Sequence, residues 1–361
     1  MLEQRHDRNQ PAGRRGATPP GAPGRTMRSF SPGMIARRNT FWIVVILVGL
    51  VAAFSALRPQ QFLTVFNFQT LGIDAAVLTI LSIGQTYVLI TAGIDLSVGA
   101  VLVFSSIVSA KAMLAFSGAP ANTYAPVNLS WALIIAGGLI SVVTGLAWGV
   151  FNGWIVARTR VPALIVTLGS FGMALGLAEI ISGGTDVRAV PKGLIDAVGT
   201  GTVVGVPVLV IIAAVAAVIT GIVLRKTVFG RRTFAIGSNI EAARRAGIRV
   251  GRHTVMVYAL CGGLAGFAGF LSLAEFTTTT LAGHSSDNLN TIAAAVIGGT
   301  SLFGGIGTIL GTVVGVFIPS VLQDGFVIIG ITPFWQEVAV GVILIGAVYF
   351  DTERRKRQAG Q

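Results

Sequence analysis

Polar side chains are scarce inside the apolar stretches of this chain, so the few found there mark where recognition chemistry is feasible. Gln85 stands in one such stretch, and Asp95 and Ser97 follow in the run GIDLSVG at Gly93 to Gly99. A carboxylate in apolar sequence costs free energy and is normally paired, hydrated or functional. Two roles stand open for Asp95: it lines a polar pathway with Ser97 beside a broken helix, or it caps a helix beginning at Leu96 by accepting a backbone N–H. Both can hold at once, since a cap at a break positions whatever lines the path. Further along, Thr167, Ser170 and Glu179 interrupt a segment otherwise built of Gly, Ala and Leu. They either face a polar passage or hydrogen-bond between helices. A third group is the polar loop Arg225 to Arg252, RKTVFGRRTFAIGSNIEAARRAGIRVGR. Its middle predicts one small helix, with Asn239 or Ser238 as N-cap, Glu241 in the first turn, Arg244 and Arg245 near the end, and Gly247 closing it. So short a helix is marginal alone in water and needs something to pack against.

Catalytic chemistry has no obvious carriers. No G-x-x-x-x-G-K-[ST] run occurs, so the chain has no P-loop with which to hydrolyse ATP. His6, His253 and His284 lie far apart and lack metal-ligand spacing, and no Ser/His/Asp or Cys/His set is evident along the chain. The single cysteine, Cys261, rules out an intrachain disulfide. No catalytic and no metal residue is expected.

The elements that must carry these groups are membrane helices. The chain has 361 residues, 53% of them hydrophobic and 11% charged, with a mean hydropathy of +0.79. That is too apolar for a soluble domain, and the 47 glycines suit close helix packing in lipid. Apolar segments at 41–57, 67–92, 96–116, 129–157, 161–183, 202–224, 254–274, 289–302, 306–322 and 334–350 predict an all-α polytopic membrane protein of about ten transmembrane or partly spanning helices. A net charge of +12 is concentrated in residues 1–40, at Arg158 and Arg160, in 225–252 and at 354–357. Even numbers of segments separate these basic regions, which places both termini in the cytoplasm by the positive-inside rule. The charge therefore reports orientation, and nucleic acid is not an expected partner because no basic face with interleaved aromatics appears.

Residues 1–40, rich in Arg, Pro and Gly, read as a disordered basic tail, 41–351 as the transmembrane domain, and 352–361 as a second basic tail. Asn152 and Gly153 read as a tight turn leading to the headgroup anchors Arg158 and Arg160. Thr277 to Thr280, His284, Asp287 and Asn288 read as an outer loop, as do Asp186, Arg188, Lys192 and Asp196. Two segments are irregular: 67–96 carries a Gly-Ile-Asp break, and 289–302 is short and followed by GGTSLFGGIG. Interruptions at corresponding places in two halves suggest an inverted repeat around a translocation path.

Four blocks in order resemble the ABC importer permeases of the ribose/xylose/galactose branch. They are GIDLSVGAVL at Gly93 to Leu102, NGWIVARTRVPALIVTLGSFGMALGLA at Asn152 to Ala178, the Arg225–Arg252 loop, and IAAAVIGGTSLFGGIGTILGT at Ile292 to Thr312. The resemblance runs from about Phe66 to Asp351. It implies the membrane subunit of a monosaccharide importer in the bacterial inner membrane, paired with a second permease copy, identical or paralogous. A cytoplasmic ABC ATPase using ATP and Mg would dock on Gly237, Ser238, Asn239, Glu241, Ala242, Ala243, Arg244 and Gly247, and an extracytoplasmic sugar-binding protein would deliver substrate. Glu241 and Arg244 would supply polar contacts to the ATPase, while Ala242, Ala243 and Gly247 allow close approach. Gln85, Asp95, Ser97, Thr167 and Ser170 would lie on the path, and the chain itself would hold no cofactor. A branched-chain amino acid permease, a stand-alone secondary transporter and a membrane enzyme are the rival classes.

Overall fold

A computed structural model describes residues 32–359 apart from 121, 122, 160, 285 and 333. Residues 1–31 of the expected tail, and Arg160, lie outside the described residues. The chain runs α1 (Pro32–Leu57), α2 (Pro59–Phe62), α3 (Val65–Ile90), α4 (Val98–Ser117), α5 (Trp131–Arg158), α6 (Ala163–Ser182), α7 (Lys192–Leu194), a π-helical turn (Ile195–Gly199), a hairpin of β1 (Thr202–Val203) and β2 (Val206–Pro207), α8 (Val208–Lys226), α9 (Val228–Ser238), α10 (Ile240–Arg245), α11 (Val250–Phe276), α12 (Asp287–Ile297), α13 (Ile309–Ile328) and α14 (Phe334–Ala359). Among the described residues the fold is all-α apart from that small hairpin and an isolated bridge between Val127 and Pro191.

Among the described residues seven helices, α3, α4, α5, α6, α8, α11 and α13, are long and apolar enough to cross a membrane. Two shorter apolar stretches lie in α1 and α14, at Phe41–Leu57 and Phe334–Gly346. The segment expected at 289–302 is α12, only 11 residues long. The segment expected at 202–224 begins later, because Thr202–Pro207 turn back as the hairpin before α8. Local chemistry sets the other ends. The hydroxyls of Thr64 and Thr308 accept from the backbone N–H of Asn67 at 3.1 Å and Gly311 at 3.0 Å, capping α3 and α13. Gly118 and Gly183, with φ of 66° and 70°, end α4 and α6 in the left-handed conformation.

Packing divides the helices. α3 is the most buried of the seven and α6 and α8 the least. Trp131, Leu139, Val143 and Trp154 on α5, and Val215, Ile219 and Ile222 on α8, are exposed, as helix faces bathed in lipid are. The tightest seam joins α5 to α11. A methyl group at Gly145 would land on the Gly262 carbonyl, one at Gly149 on the Tyr258 carbonyl, and one at Gly266 on the Ser141 carbonyl. Only glycine lets these backbones come so near.

Candidate functional site

The α3–α4 break, Thr91 to Ser97, is the first part of the site. Its turn forces Ala92 into the left-handed region, at φ 61°. The Asp95 carboxylate, buried with 2% exposure, accepts from the Ser97 backbone N–H at 2.9 Å and the Ser97 hydroxyl at 2.6 Å. Helix α4 therefore starts at Val98 instead of Leu96, with Asp95 holding the turn before it. Asn152 completes the arrangement by donating its Nδ2 to the Ser97 hydroxyl at 2.8 Å. This corrects the reading of Asn152 as a turn residue: it lies inside α5, buried, and ties that helix to the break. The Ile94 carbonyl is braced by the Tyr258 hydroxyl of α11 and the Thr167 hydroxyl of α6, each at 3.3 Å. Three helices thus grip one short break.

The second irregular segment meets the first. In the glycine-rich connection between α12 and α13, Gly305 donates its backbone N–H to the Ile90 carbonyl at the end of α3, at 2.9 Å. Gly304 and Gly305 adopt φ of 82° and 77°, conformations that side chains disfavour. Gly237 lies against both: a methyl group there would strike the Ile90 carbonyl and the Gly305 backbone nitrogen. The polar loop and the two interruptions therefore share one backbone junction.

The polar loop forms two helices where one was expected. α9 begins at a cap in which the Thr227 hydroxyl accepts from Gly230 N at 3.3 Å. It is fastened to the bundle by the Thr233 hydroxyl, 2.9 Å from His253 Nε2, and by Phe229, whose ring centroid is 4.7 Å from that of His253. Gly237 and Ser238 end α9 and face the junction. Asn239 is extended, at φ −161°, and caps α10 by accepting from Ala242 N at 2.9 Å. Gly247, at φ 80°, closes α10, with backbone bonds from Gly247 N to Arg244 O at 3.0 Å and Ile248 N to Ala243 O at 3.1 Å. Glu241, Ala242 and Arg244 are on its exposed face, with Glu241 and Arg244 paired at 2.8 Å, while Ala243 is buried beneath. α9 is thus a strut and α10 a small exposed tip on its end.

Of the path residues named from sequence, Asp95, Ser97 and Thr167 meet at the break. Ser170 is buried farther along α6 and accepts from the Trp148 indole N–H at 2.6 Å. Gln85 is on α3 and joins none of them; its amide finds no hydrogen-bond partner among the described residues. Sequence reasoning missed Asn152, Tyr258 and His253. A polar residue five or six places inside a helix end was the available signal for Asn152, and its neighbours Arg158, Arg160 and Pro162 masked it.

At the opposite end, His284 is buried and not part of an open loop. Its Nδ1 is 2.7 Å from Asp287 Oδ2 and its Nε2 is 2.9 Å from the Ser272 hydroxyl. A Ser, His and Asp that form no evident set along the chain thus come together in space. Ser272 is sealed at 2% exposure inside α11, so the set holds α11, α12 and the segment between them together and presents no open nucleophile. A polar cleft of about 330 Å³ opens near this end, lined by Tyr124, Pro126, Asp186, Arg188, Thr277 and Thr278.

Residues 67–348 match the family described as the permease component of branched-chain amino acid transport systems. The chain is 35% identical over 320 residues to the L-arabinose ABC transporter permease protein AraH of Azospirillum brasilense, covering 89% of each chain. It is 34% identical to the D-allose transport system permease protein AlsC of Escherichia coli, covering 87% of this chain and 90% of that one. It is 35% identical to the ribose import permease protein RbsC of Bacillus subtilis, covering 89% and 94%. No solved structure matches.

Proposed function

This chain belongs to the family of branched-chain amino acid transport system permease components, and we propose that it is the membrane-spanning subunit of an ATP-driven importer of a monosaccharide. The observation that carries the sugar is similarity along nearly the whole chain to permeases named for arabinose, allose and ribose. The family description, by contrast, names a broader group whose amino acid members are the rival reading. The protein is a multi-pass protein of the bacterial inner membrane. A permease of this kind works with a separate ATPase and a substrate-binding protein.

The finer reading is as follows. α1, α14 and the short α12 complete ten crossings, both termini are cytoplasmic, the two halves run in opposite directions, and the basic segments 1–40 and 352–361 flank the permease domain 41–351. A second permease copy, identical or a paralogue, completes the pathway, and lipid covers the outer faces of α5, α6 and α8. The ATPase, which holds the ATP and Mg, seats against the exposed face of α10 through Glu241, Ala242 and Arg244. When its two halves close, α10 is pushed and α9 transmits the push to the junction of Gly237, Ile90 and Gly305. There the two breaks shift together and change which side of the membrane the path opens to. The cleft beside Asp186 and Arg188 faces the sugar-binding protein. What supports this reading is the shape of the loop: a strut fixed to the bundle, ending on the joint, with a small exposed helix at its tip.

Purification from the native membrane in mild detergent tests it, with co-purifying proteins identified by mass spectrometry. Recovery of a P-loop ATPase and a sugar-binding protein is the expected result. The chain recovered alone after crosslinking overturns the importer, and an amino-acid-binding partner overturns the sugar.

A further inference from the structure

Gln85 and Ser82 are two neighbouring polar groups that the site does not use. Both are fully buried, and neither Ser82 Oγ nor either polar atom of the Gln85 amide finds a partner among the described residues. A primary amide offers two donors and an acceptor with two lone pairs, so leaving it dry costs free energy that an apolar residue would not. A Leu at position 85 would satisfy this packing better than the residue the sequence uses. No neighbouring protein group answers the amide, which leaves it free to bond a polar molecule that comes beside it.

Its position says what that is. Gln85 shares one face of α3 with Leu78, Ser82 and Leu89, at spacings of three and four residues. Leu89 packs with Ile292, Ala295 and Val296 of α12, and Leu78 packs with the cluster containing Ala294. The face thus abuts the run Ile292 to Val296, whose side chains have no hydrogen-bonding atom to offer. α12 is short, is followed by the glycine connection that ends on the joint, and meets α3 through Ile292, Ala294, Ala295 and Val296. α12 is pressed backbone on backbone against α13 instead: a methyl group at Gly315 would land on the Ala294 carbonyl and one at Gly298 on the Gly311 carbonyl. Beyond its end lies a third unpartnered group, the Thr300 hydroxyl, 2% exposed and next to Ile90.

We infer that Gln85 and Ser82 are a hydrogen-bonding site for the hydroxyl groups of the transported sugar, closed in this conformation by α12 and opened when α12 draws away from α3. The inference rests on the monosaccharide reading above and deepens it. An amide and a hydroxyl on one helix face suit a polyol, since each accepts and donates, and neither carries a charge that would hold the sugar too tightly to release. Ser82 and Gln85 lie about one turn apart, a spacing near that of neighbouring sugar hydroxyls plus their hydrogen bonds.

The test uses the complete transporter, with its ATPase and binding protein, reconstituted in liposomes. ATP-driven uptake of radiolabelled D-ribose, L-arabinose, D-allose and leucine is measured first for the wild type. Gln85→Leu should then insert, assemble and keep its thermal stability and its ATPase activity within about twofold, while uptake of the accepted sugar falls about tenfold, the scale of one or two neutral hydrogen bonds. Ser82→Ala should lose about threefold, and Gln85→Leu should discriminate less between the sugar and its deoxy analogue. Uptake by Gln85→Leu within twofold of the wild type overturns this inference alone. So does a parallel fall of uptake, ATPase activity and thermal stability, which would make Gln85 structural. A wild type that takes up leucine and none of the three sugars removes the underlying reading, and this inference with it.

Discussion

Two seams of the same bundle are built on opposite rules. Between α5 and α11, glycines at 145, 149, 262 and 266 press backbone on backbone, so that a single added methyl group has nowhere to go. Between α3 and α12 the contact is of side chains, Leu89 against Ile292, Ala295 and Val296, and the Gln85 amide finds no partner among the described residues. The first cannot slide or open without losing close contacts along several turns. The second has no such backbone contact, and its parting would expose the Leu89 cluster while freeing the amide to bond. On the inference above, α5 and α11 hold the frame, and α12 with its glycine connection moves against it.

The largest effect should come from filling the rigid seam. Gly262→Leu drives a side chain into the Gly145 carbonyl, and overpacking of this kind costs about 3 kcal/mol, the upper end of its usual range. Loss of protein from the membrane fraction, or a collapse of its melting temperature in detergent, is the expected outcome. Normal yield and stability would mean that the seam is slack.

Next comes the joint between frame and moving part. Gly237→Val, with its branch set against the Ile90 carbonyl and Gly305, should leave a folded protein that binds the ATPase but transports at least about tenfold less, because hydrolysis no longer reaches the breaks. Comparing uptake with ATPase rate checks this, and equal losses in both would put Gly237 in docking instead. A smaller change follows from Asn152→Ala, which removes the bond to Ser97 across the frame. It should cost about 1 to 2 kcal/mol of thermal stability, as for one buried hydrogen bond, measured as a modest fall in melting temperature. The least effect on stability belongs to Glu241→Ala. Its exposed pair with Arg244 is worth about 0.3 to 0.5 kcal/mol, so melting should barely change while affinity for the ATPase drops in a pull-down. Undiminished ATPase binding would remove Glu241 from the docking face.

Much of the frame is legible in the sequence, because its signals are local. Runs of apolar residues near the length of a bilayer give the seven long helices within a few residues, and Gly118, Gly183 and Gly247 punctuate helices as their backbone freedom predicts. The cap at Asn239 is equally local. The moving part is harder to read because its defining contacts join residues far apart in the chain. Nothing near Asn152 says that it reaches Ser97, and nothing near Gly237 says that it presses on Ile90 and Gly305. The split of the polar loop into α9 and α10 turns on one extended residue, Asn239, within an otherwise continuous helical pattern. Ser272 meets His284 only because the segment after α11 folds back.

The bond from Gly305 to Ile90 also bears on how the protein is made. The end of α3 leaves the ribosome more than two hundred residues before its partner glycine does. Through that interval the first break holds only what lies upstream: Asp95 with Ser97 at once, Asn152 after α5, Thr167 after α6, Tyr258 after α11. The joint is closed last, by the same connection that later moves it. A chain truncated before residue 305 would keep the α5–α11 seam and the α9–α10 loop but lack the glycine that closes the junction, so a push on α10 would reach an open joint.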